Sequence, residues 1–564
     1  MDARRQAGRD RRGHLRHHAS AHLAEHVMTP LTGGEAVVRA LSAHGTDLAF
    51  GIPGTHNLEI YRHLGRYGIR HVTPRHEQGA GYAADGYART TGRPGVAITT
   101  TGPALLNIAA AVGQANSDSV PLLVVSPGMP LRHPRQPIGL LHEMPSQTEA
   151  FRHIAAVSHR VSSVAEIGPA VARAFTLFRT ERPRPVHIEI PLDLLETPEP
   201  VGEVRLAPPT VSAGPAPDAL REAAAALSSA RRPALVLGGG ARAGGAACLS
   251  LAERLGAPVV TTANGKAVVP ESHPLSLGVA LHSPSVQKWL ADCDVLLAVG
   301  TELAESDLWS GPPRLNGTLI RVDLDPAQMY AGVPADIALV GDAGVVLGLL
   351  LPAVGQRQGG FPPASEDDTA STAAELRGER DAETAERDAR WRPFLTAIRS
   401  VLAPDAVITS DSAQCCYYGA LPHLPVDPPG RYLHPTGFGT LGYALPAAVG
   451  AKAAFPDRQV VALSGDGGFQ FSVQELATAA QLRLPLPVIV FDNGGYGEIR
   501  DEMAARGDEP TGVDLSSVNL AALARAYGGH GTQVTTPDQL GSALREALAA
   551  PGPTVITVPE EADH

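Results

Sequence analysis

The sequence predicts an α/β protein built from three doubly wound parallel-sheet domains. Short apolar runs that end in turn residues alternate with segments of helical spacing almost throughout, the pattern of helices layered on parallel sheets. The 564 residues are too many for one core and suit three or four domains. A Pro-rich stretch and a charged stretch interrupt the alternation and leave three blocks of similar style.

Taken in order, residues 1–27, "MDARRQAGRDRRGHLRHHASAHLAEH" and one more, are rich in Arg and His and lack the apolar stretch of a secretory signal; a disordered tail is expected. The first block, 28–194, holds "DLAFGIPG", "GVAITTTG", "PLLVVSPG" and "PVHIEIPLD", each a strand candidate. After the connector "ETPEPVGEVRLAPPTVSAGPAP", the second block, 218–351, repeats the style with "PALVLGGG", "PVVTTANG", "VLLAVGTEL" and "LIRVDLD". Residues 352–391 are polar and charged and read as a linker, helical toward its end. The third block, 392–564, holds "AVITSDS", "VVALSGDGG" and "PVIVFDNGG".

Composition excludes several classes of function. The net charge of −12 and an aromatic content of 4% disfavour a nucleic-acid binder. No run of about 18 apolar residues is present, so no membrane span is expected. Cys248, Cys293, Cys415 and Cys416 make no zinc spacing, and a reducing, cytoplasmic setting is the simplest expectation.

The stretch Ser464-Gly465-Asp466-Gly467-Gly468-Phe469 carries the chemistry. "QVVALS" reads as a buried strand before it. "FQFSVQELATAAQLRL" follows, with Phe471, Val473, Leu476, Ala477 and Ala480 at helical spacing. "PLPVIVF" is then a second strand, ending in Asp492-Asn493-Gly494-Gly495. Such a β-α-β crossover makes the strands parallel. Asp466 and Asn493, 27 positions apart, are therefore expected at one carboxyl edge, where open α/β sheets bind ligands. A carboxylate, an amide oxygen and a backbone carbonyl are hard donors suited to magnesium or calcium, and magnesium takes part of its coordination from phosphates. Gly467 and Gly468 let backbone N–H groups approach a diphosphate closely.

The Gly-Asp-Gly triplet followed by Asp-Asn at this distance resembles the thiamine diphosphate motif. "GFGTLGYALPAAVGAK" at 437–452 and "RHEQGAGYAADGYARTTGRPGVAI" at 75–98 resemble segments of acetolactate synthases and related 2-oxo acid decarboxylases, and "FGIPG" and "TGPALLN" agree. The resemblance runs from about Met28 to the end. It implies a pyrimidine-binding first domain, a central domain and a diphosphate-binding third domain. It implies Mg2+ held by Asp466, Asn493 and the Gly495 carbonyl, with Gln414, Gly439, Gly467 and Gly468 against the cofactor and Leu441 as the wedge that keeps its rings folded together. Cys415 stands where the family often has His. Glu77 would share a proton with N1′ of the aminopyrimidine, which requires a matched pKa in a dry site. A homodimer or homotetramer is implied, with Glu77 and the metal site of each active centre coming from different subunits.

Within this family the substrate is a 2-oxo acid. "GTHNLEIYR", with His56, "GLLHEMPSQ", with His142, Glu143 and Gln147, "NGGYGEIRDEMAARGDEPTGVDL", with Glu498, and "GTELAESD" look most like 5-guanidino-2-oxopentanoate decarboxylases. Glu143 or Glu498 could pair with a guanidinium. The alternative is an acetolactate synthase joining two 2-oxo acids. Flavin is not expected, because "LGVALHSPSV" departs from the Gly-Met-His-Gly segment of flavin-bearing relatives. A reading from another class is a non-catalytic scaffold that keeps the fold; intact Glu77, Asp466 and Asn493 argue against it.

Overall fold

Every apolar run quoted above forms a strand, because each is short, rich in branched residues and closed by Gly, Asp or Pro. The computed structural model describes residues 29–207, 214–355 and 366–560; the expected tail at 1–27 lies outside them. Three six-stranded sheets result, with every strand pairing in them parallel. In spatial order the first comprises Arg70–Val72, Leu48–Gly51, Gly95–Ile98, Leu122–Gly128, Val186–Pro191 and Val157–Arg160. The second comprises Ser276–Val279, Val259–Thr261, Pro233–Leu237, Val295–Val299, Thr318–Asp323 and Ile337–Val340. The third comprises Arg431–Leu433, Val407–Ser410, Val460–Gly465, Leu486–Asp492, Pro553–Pro559 and His530–Gln533.

Numbered within each sheet along the chain, the first and third sheets share the order 2-1-3-4-6-5, while the second has 3-2-1-4-5-6. The strand order reverses beside the first strand of every sheet, and that switch point is where such sheets open a crevice. The third sheet's crevice lies between Ser410 and Gly465, and the first sheet's lies between Gly51 and Ile98.

The first and third domains are fused by two helices of small residues, Glu77–Thr91 and Ala444–Ala454. A Cβ on Gly450 would lie 1.9 Å from the Ala83 carbonyl oxygen, so only glycine permits this approach. Their apolar faces enter one buried cluster that serves both sheets. A polar clamp sits beside it: Arg89 pairs with Asp85 at 2.8 Å and Asp118 at 2.7 Å, and the Tyr443 hydroxyl donates to Asp85. Buried charges of this kind hold because each has a partner.

One local expectation needs correction. The segment after the Gly-Asp-Gly turn is not one helix but two, Asp466–Gln470 and Glu475–Gln481. Phe471 is 47% exposed, and the buried side carries Glu475 and Thr478 rather than Ala477 and Ala480. Within 352–391, residues Glu366–Glu383 form a helix seated on the central sheet by arginine side chains: Arg377 donates to the Ser276 carbonyl and Arg380 to that of Leu277. Among the described residues no helix is long and apolar enough to cross a membrane, and the four cysteines are buried and free.

Candidate active site

At the third sheet's crevice, parallel pairing of Gly465 with Phe491 delivers Asp466 and Asn493 to the same edge. The Asn493 backbone N–H donates toward Asp466 Oδ1 at 3.4 Å. The Asn493 side-chain oxygen faces Asp466 Oδ1 at 3.2 Å and the Gly495 carbonyl at 3.0 Å, with no donor between them. Turning the amide over would give two hydrogen bonds; as it stands, three oxygens converge in a donor set that a divalent cation would suit. An octahedral ion with oxygens at about 2.0–2.1 Å sets neighbouring ligands about 3 Å apart, which is the spacing seen. Burial, with Asp492 close by, pushes the Asp466 carboxyl up to about 6, and a cation would restore its charge. Gly495 adopts φ 155°, and a Cβ there would strike the Val513 carbonyl oxygen at 2.0 Å, so the ligand carbonyl can be presented only by glycine.

The rest of this edge is built from Asp411 to Gln414 and from Gly437 to Tyr443. Asp411 is fully buried and accepts from the backbone N–H groups of Ser412 and Gly442 and from the Ser464 hydroxyl; burial raises its carboxyl to about 6. It thereby fixes Gly442, at φ 83°, and the half-buried Leu441 beside it. Gly439 lies exposed on the same loop, and Tyr82 of the first domain bonds the neighbouring Thr440 hydroxyl. Gly467 and Gly468 open the short helix after Asp466. Cys415 is buried with its thiol directed at the Ser464 carbonyl. Gln414 is 7% exposed, and its side-chain nitrogen donates to Glu498 at 3.1 Å and Asp501 at 2.7 Å.

Glu77 opens the helix Glu77–Thr91, where an acid is favoured by the helix dipole. It is 9% exposed, and the Asn107 amide donates to its Oε2 at 2.9 Å. The turn before it is held from the third domain. Glu475, 1% exposed, accepts from the backbone N–H of Arg75 at 3.0 Å and of His76 at 3.1 Å, and from the Thr478 hydroxyl at 2.6 Å. Nearby, Thr101 lies between two histidines, with its hydroxyl 2.5 Å from His56 Nδ1 and 3.3 Å from His142 Nδ1. Burial and the neighbouring His142 lower the pKa of His56 below that of a free imidazole. Gln147 accepts from the Gly102 N–H at 2.6 Å. Glu143 is occupied otherwise: His133 at 2.6 Å and the N–H groups of Ile138 and Gly139 take its oxygens and hold its carboxyl down at about 2. It braces its own loop.

The N-terminal thiamine pyrophosphate-binding domain of thiamine pyrophosphate enzymes matches residues 31–150, the central domain 220–350 and the C-terminal binding domain 413–558. A protein named probable 2-ketoarginine decarboxylase from Pseudomonas aeruginosa is 43% identical over 93% of both chains. The chain belongs to the thiamine pyrophosphate enzymes. The acetolactate synthase large subunit of Parasynechococcus marenigrum is 34% identical over 94% of this chain and 87% of that protein, and the isozyme 3 large subunit of Escherichia coli is 32% identical over 92% and 93%.

Thiamine pyrophosphate and thiamine diphosphate are one compound, and the residues present fit a metal-bound diphosphate: three oxygens converge, the Asn493 amide oxygen facing only acceptors, beside glycines at a switch point. Sequence reasoning missed Asp411, Glu475, Asn107 and Asp501. "SDSAQCC" held a signal for Asp411, a carboxylate directly after a strand at a crevice; Glu475 gave none, since it sits among helix formers. In the second sheet the glycines of "LGGGARAGG" also lie at a switch point. Gly239 and Gly240 line a cavity of about 500 Å³ with Arg242, Asn264, Gly300 and Thr301.

Proposed function

We propose that this protein catalyses the thiamine diphosphate- and Mg2+-dependent, non-oxidative decarboxylation of 5-guanidino-2-oxopentanoate to the corresponding aldehyde. The observation that carries the cofactor is the cluster of Asp466, Asn493 and Gly495 oxygens, which calls for a divalent cation and, through it, a diphosphate. The likeness to the Pseudomonas aeruginosa protein, whose name gives 2-ketoarginine decarboxylation, supports the reaction. Thiamine diphosphate, when bound, supplies the electron sink for loss of carbon dioxide. The chain's residues do the rest. Asp466, Asn493 and Gly495 hold the ion. Asp411 shapes the loop that carries Leu441. Glu77, oriented by Asn107, exchanges a proton with the aminopyrimidine ring. His56 and His142, bridged by Thr101, offer imidazole nitrogens for proton movement near the reacting carbon.

Exposed Leu106, Phe438 and Phe471, beside Asn107, Gly439 and Gly442, suit coverage by a second copy of the chain. We read the enzyme as a homodimer or a homotetramer, working without flavin in a reducing cytoplasm. A second reading, acetolactate synthesis, is favoured by the synthase relatives. One assay separates the two: the holoenzyme is given a panel of 2-oxo acids, and carbon dioxide and products are measured. Release with an aldehyde from the guanidino acid supports the proposal, acetolactate from pyruvate supports the synthase, and no release from any acid favours a scaffold.

A further inference from the structure

We propose that Glu498 and Asp501 form the pocket that selects the cationic end of the substrate, with the rings of Tyr418 and Trp309 as its wall. The inference rests on the decarboxylase reading above and adds the residues that would set its specificity. The helix Gly497–Arg506 begins two residues after the Gly495 ligand, so the metal loop that fixes the cofactor also fixes this helix. Glu498 and Asp501 are three residues apart and therefore share a helix face. Both accept from the one side-chain nitrogen of Gln414, at 3.1 and 2.7 Å, so the two carboxylates occupy one small space.

Their charge is left uncompensated. Among the described residues neither carboxylate forms an ion pair, because the neighbouring arginines are committed elsewhere. Arg500 pairs with Asp514 at 3.1 Å and Arg506 with Glu502. Arg387 pairs with Asp388 at 2.7 Å and lies 3.8 Å from the ring centre of Tyr418. The donors that do reach the acids are neutral: Gln414, and the Tyr418 hydroxyl to Glu498 Oε1 at 2.8 Å. Two like charges on adjacent turns repel, and a helix N-terminus offsets only part of that. An incoming cation would remove the repulsion.

The wall favours a flat cation over a compact ammonium. Trp309 meets Tyr418 edge to face at 5.2 Å and is 43% exposed, while its inner side stacks on His282 at 4.0 Å. A guanidinium stacks on such rings and presents a fork of donors to a pair of carboxylates. The loop that leads into this helix also carries the converging oxygens of Asp466, Asn493 and Gly495, with the Asn493 amide oxygen facing only acceptors.

The test measures kcat/KM of the holoenzyme and of its Glu498→Gln and Asp501→Asn variants on 5-guanidino-2-oxopentanoate and on uncharged 2-oxohexanoate. Calorimetric binding of thiamine diphosphate reports that each variant is folded. The expected result is a preference for the guanidino acid that falls about tenfold or more in each variant, the size of a lost charge-assisted hydrogen bond. A second measurement does not depend on turnover: arginine, which carries the guanidinium but no ketone, should quench tryptophan fluorescence in the parent protein, and this should be lost in Trp309→Phe and weakened in Glu498→Gln. An unchanged preference in both variants overturns the inference and leaves the decarboxylase reading standing. A parent enzyme that decarboxylates 2-oxohexanoate but not the guanidino acid overturns the inference and the guanidino substrate together, and leaves a decarboxylase of another 2-oxo acid. A parent protein that releases carbon dioxide from no 2-oxo acid overturns both.

Discussion

Glu77 is a short chain of contacts in itself: the Asn107 amide orients one oxygen, and the Glu475 carboxylate holds the turn that precedes it. Glu77→Gln keeps that shape and removes the exchangeable proton. Its kcat should fall by about 10²–10⁴, the usual worth of a positioned acid–base group, with cofactor affinity, read by calorimetry, changed far less. His56 provides a pH test. Burial and then His142 lower its pKa, so it is neutral at pH 7 and gains its proton only below the ordinary 6.5. If the neutral form is the working form, the acid limb of the kcat/KM profile lies below pH 6.5. Replacing His142 by Gln removes the second cause, and the limb should move upward, toward 6.5. The convergence of Asp466 and Asn493 at one sheet edge was legible in the sequence because strand, turn and oxygen donor coincide at both. The partners of Glu143, namely His133, Ile138 and Gly139, were not legible, because they depend on how its loop folds back.

At the scale of the element, apolar runs closed by turn residues gave every strand that builds the crevices. The helices were less legible. Glu475 and Thr478 sit on a buried face that hydropathy assigns to solvent, because their burial is offset by hydrogen bonds from Arg75, His76 and each other. Phe471 has the expected helical spacing but falls between the two helices, which leaves it exposed. The charge of the helix Glu366–Glu383 hid its seat on the central sheet, where Arg377 and Arg380 donate to strand carbonyls while Ala373 and Leu376 join the buried apolar cluster. Glu475→Ala would leave two backbone N–H groups without their acceptor, at about 1–3 kcal/mol each. Amide hydrogen exchange at Arg75–Glu77 should then accelerate, while the strand Leu486–Asp492 stays protected. Equal protection in both proteins would show that this turn does not depend on Glu475.

For the whole molecule, two domains of identical strand order flank a third of different order, and helices of small residues lock the outer two together. That arrangement places the Glu77 edge and the Asp466 edge on one body without requiring that they serve the same site. If each centre takes Glu77 from one subunit and Asp466 from another, mixing two inactive proteins, Glu77→Gln and Asp466→Ala, should restore activity. After complete subunit exchange about half of the dimers are hybrids with one intact site, so about a quarter of the parent activity should return. No recovery, with exchange verified by mass, would place both residues in one subunit's site.

Isothermal titration of thiamine diphosphate into the protein, with Mg2+ and again with a chelator, is the most direct measurement. Binding that needs the cation and is abolished in Asp466→Ala is the predicted result. Equal affinity without the cation, or undiminished affinity in Asp466→Ala, would contradict the metal-anchored site.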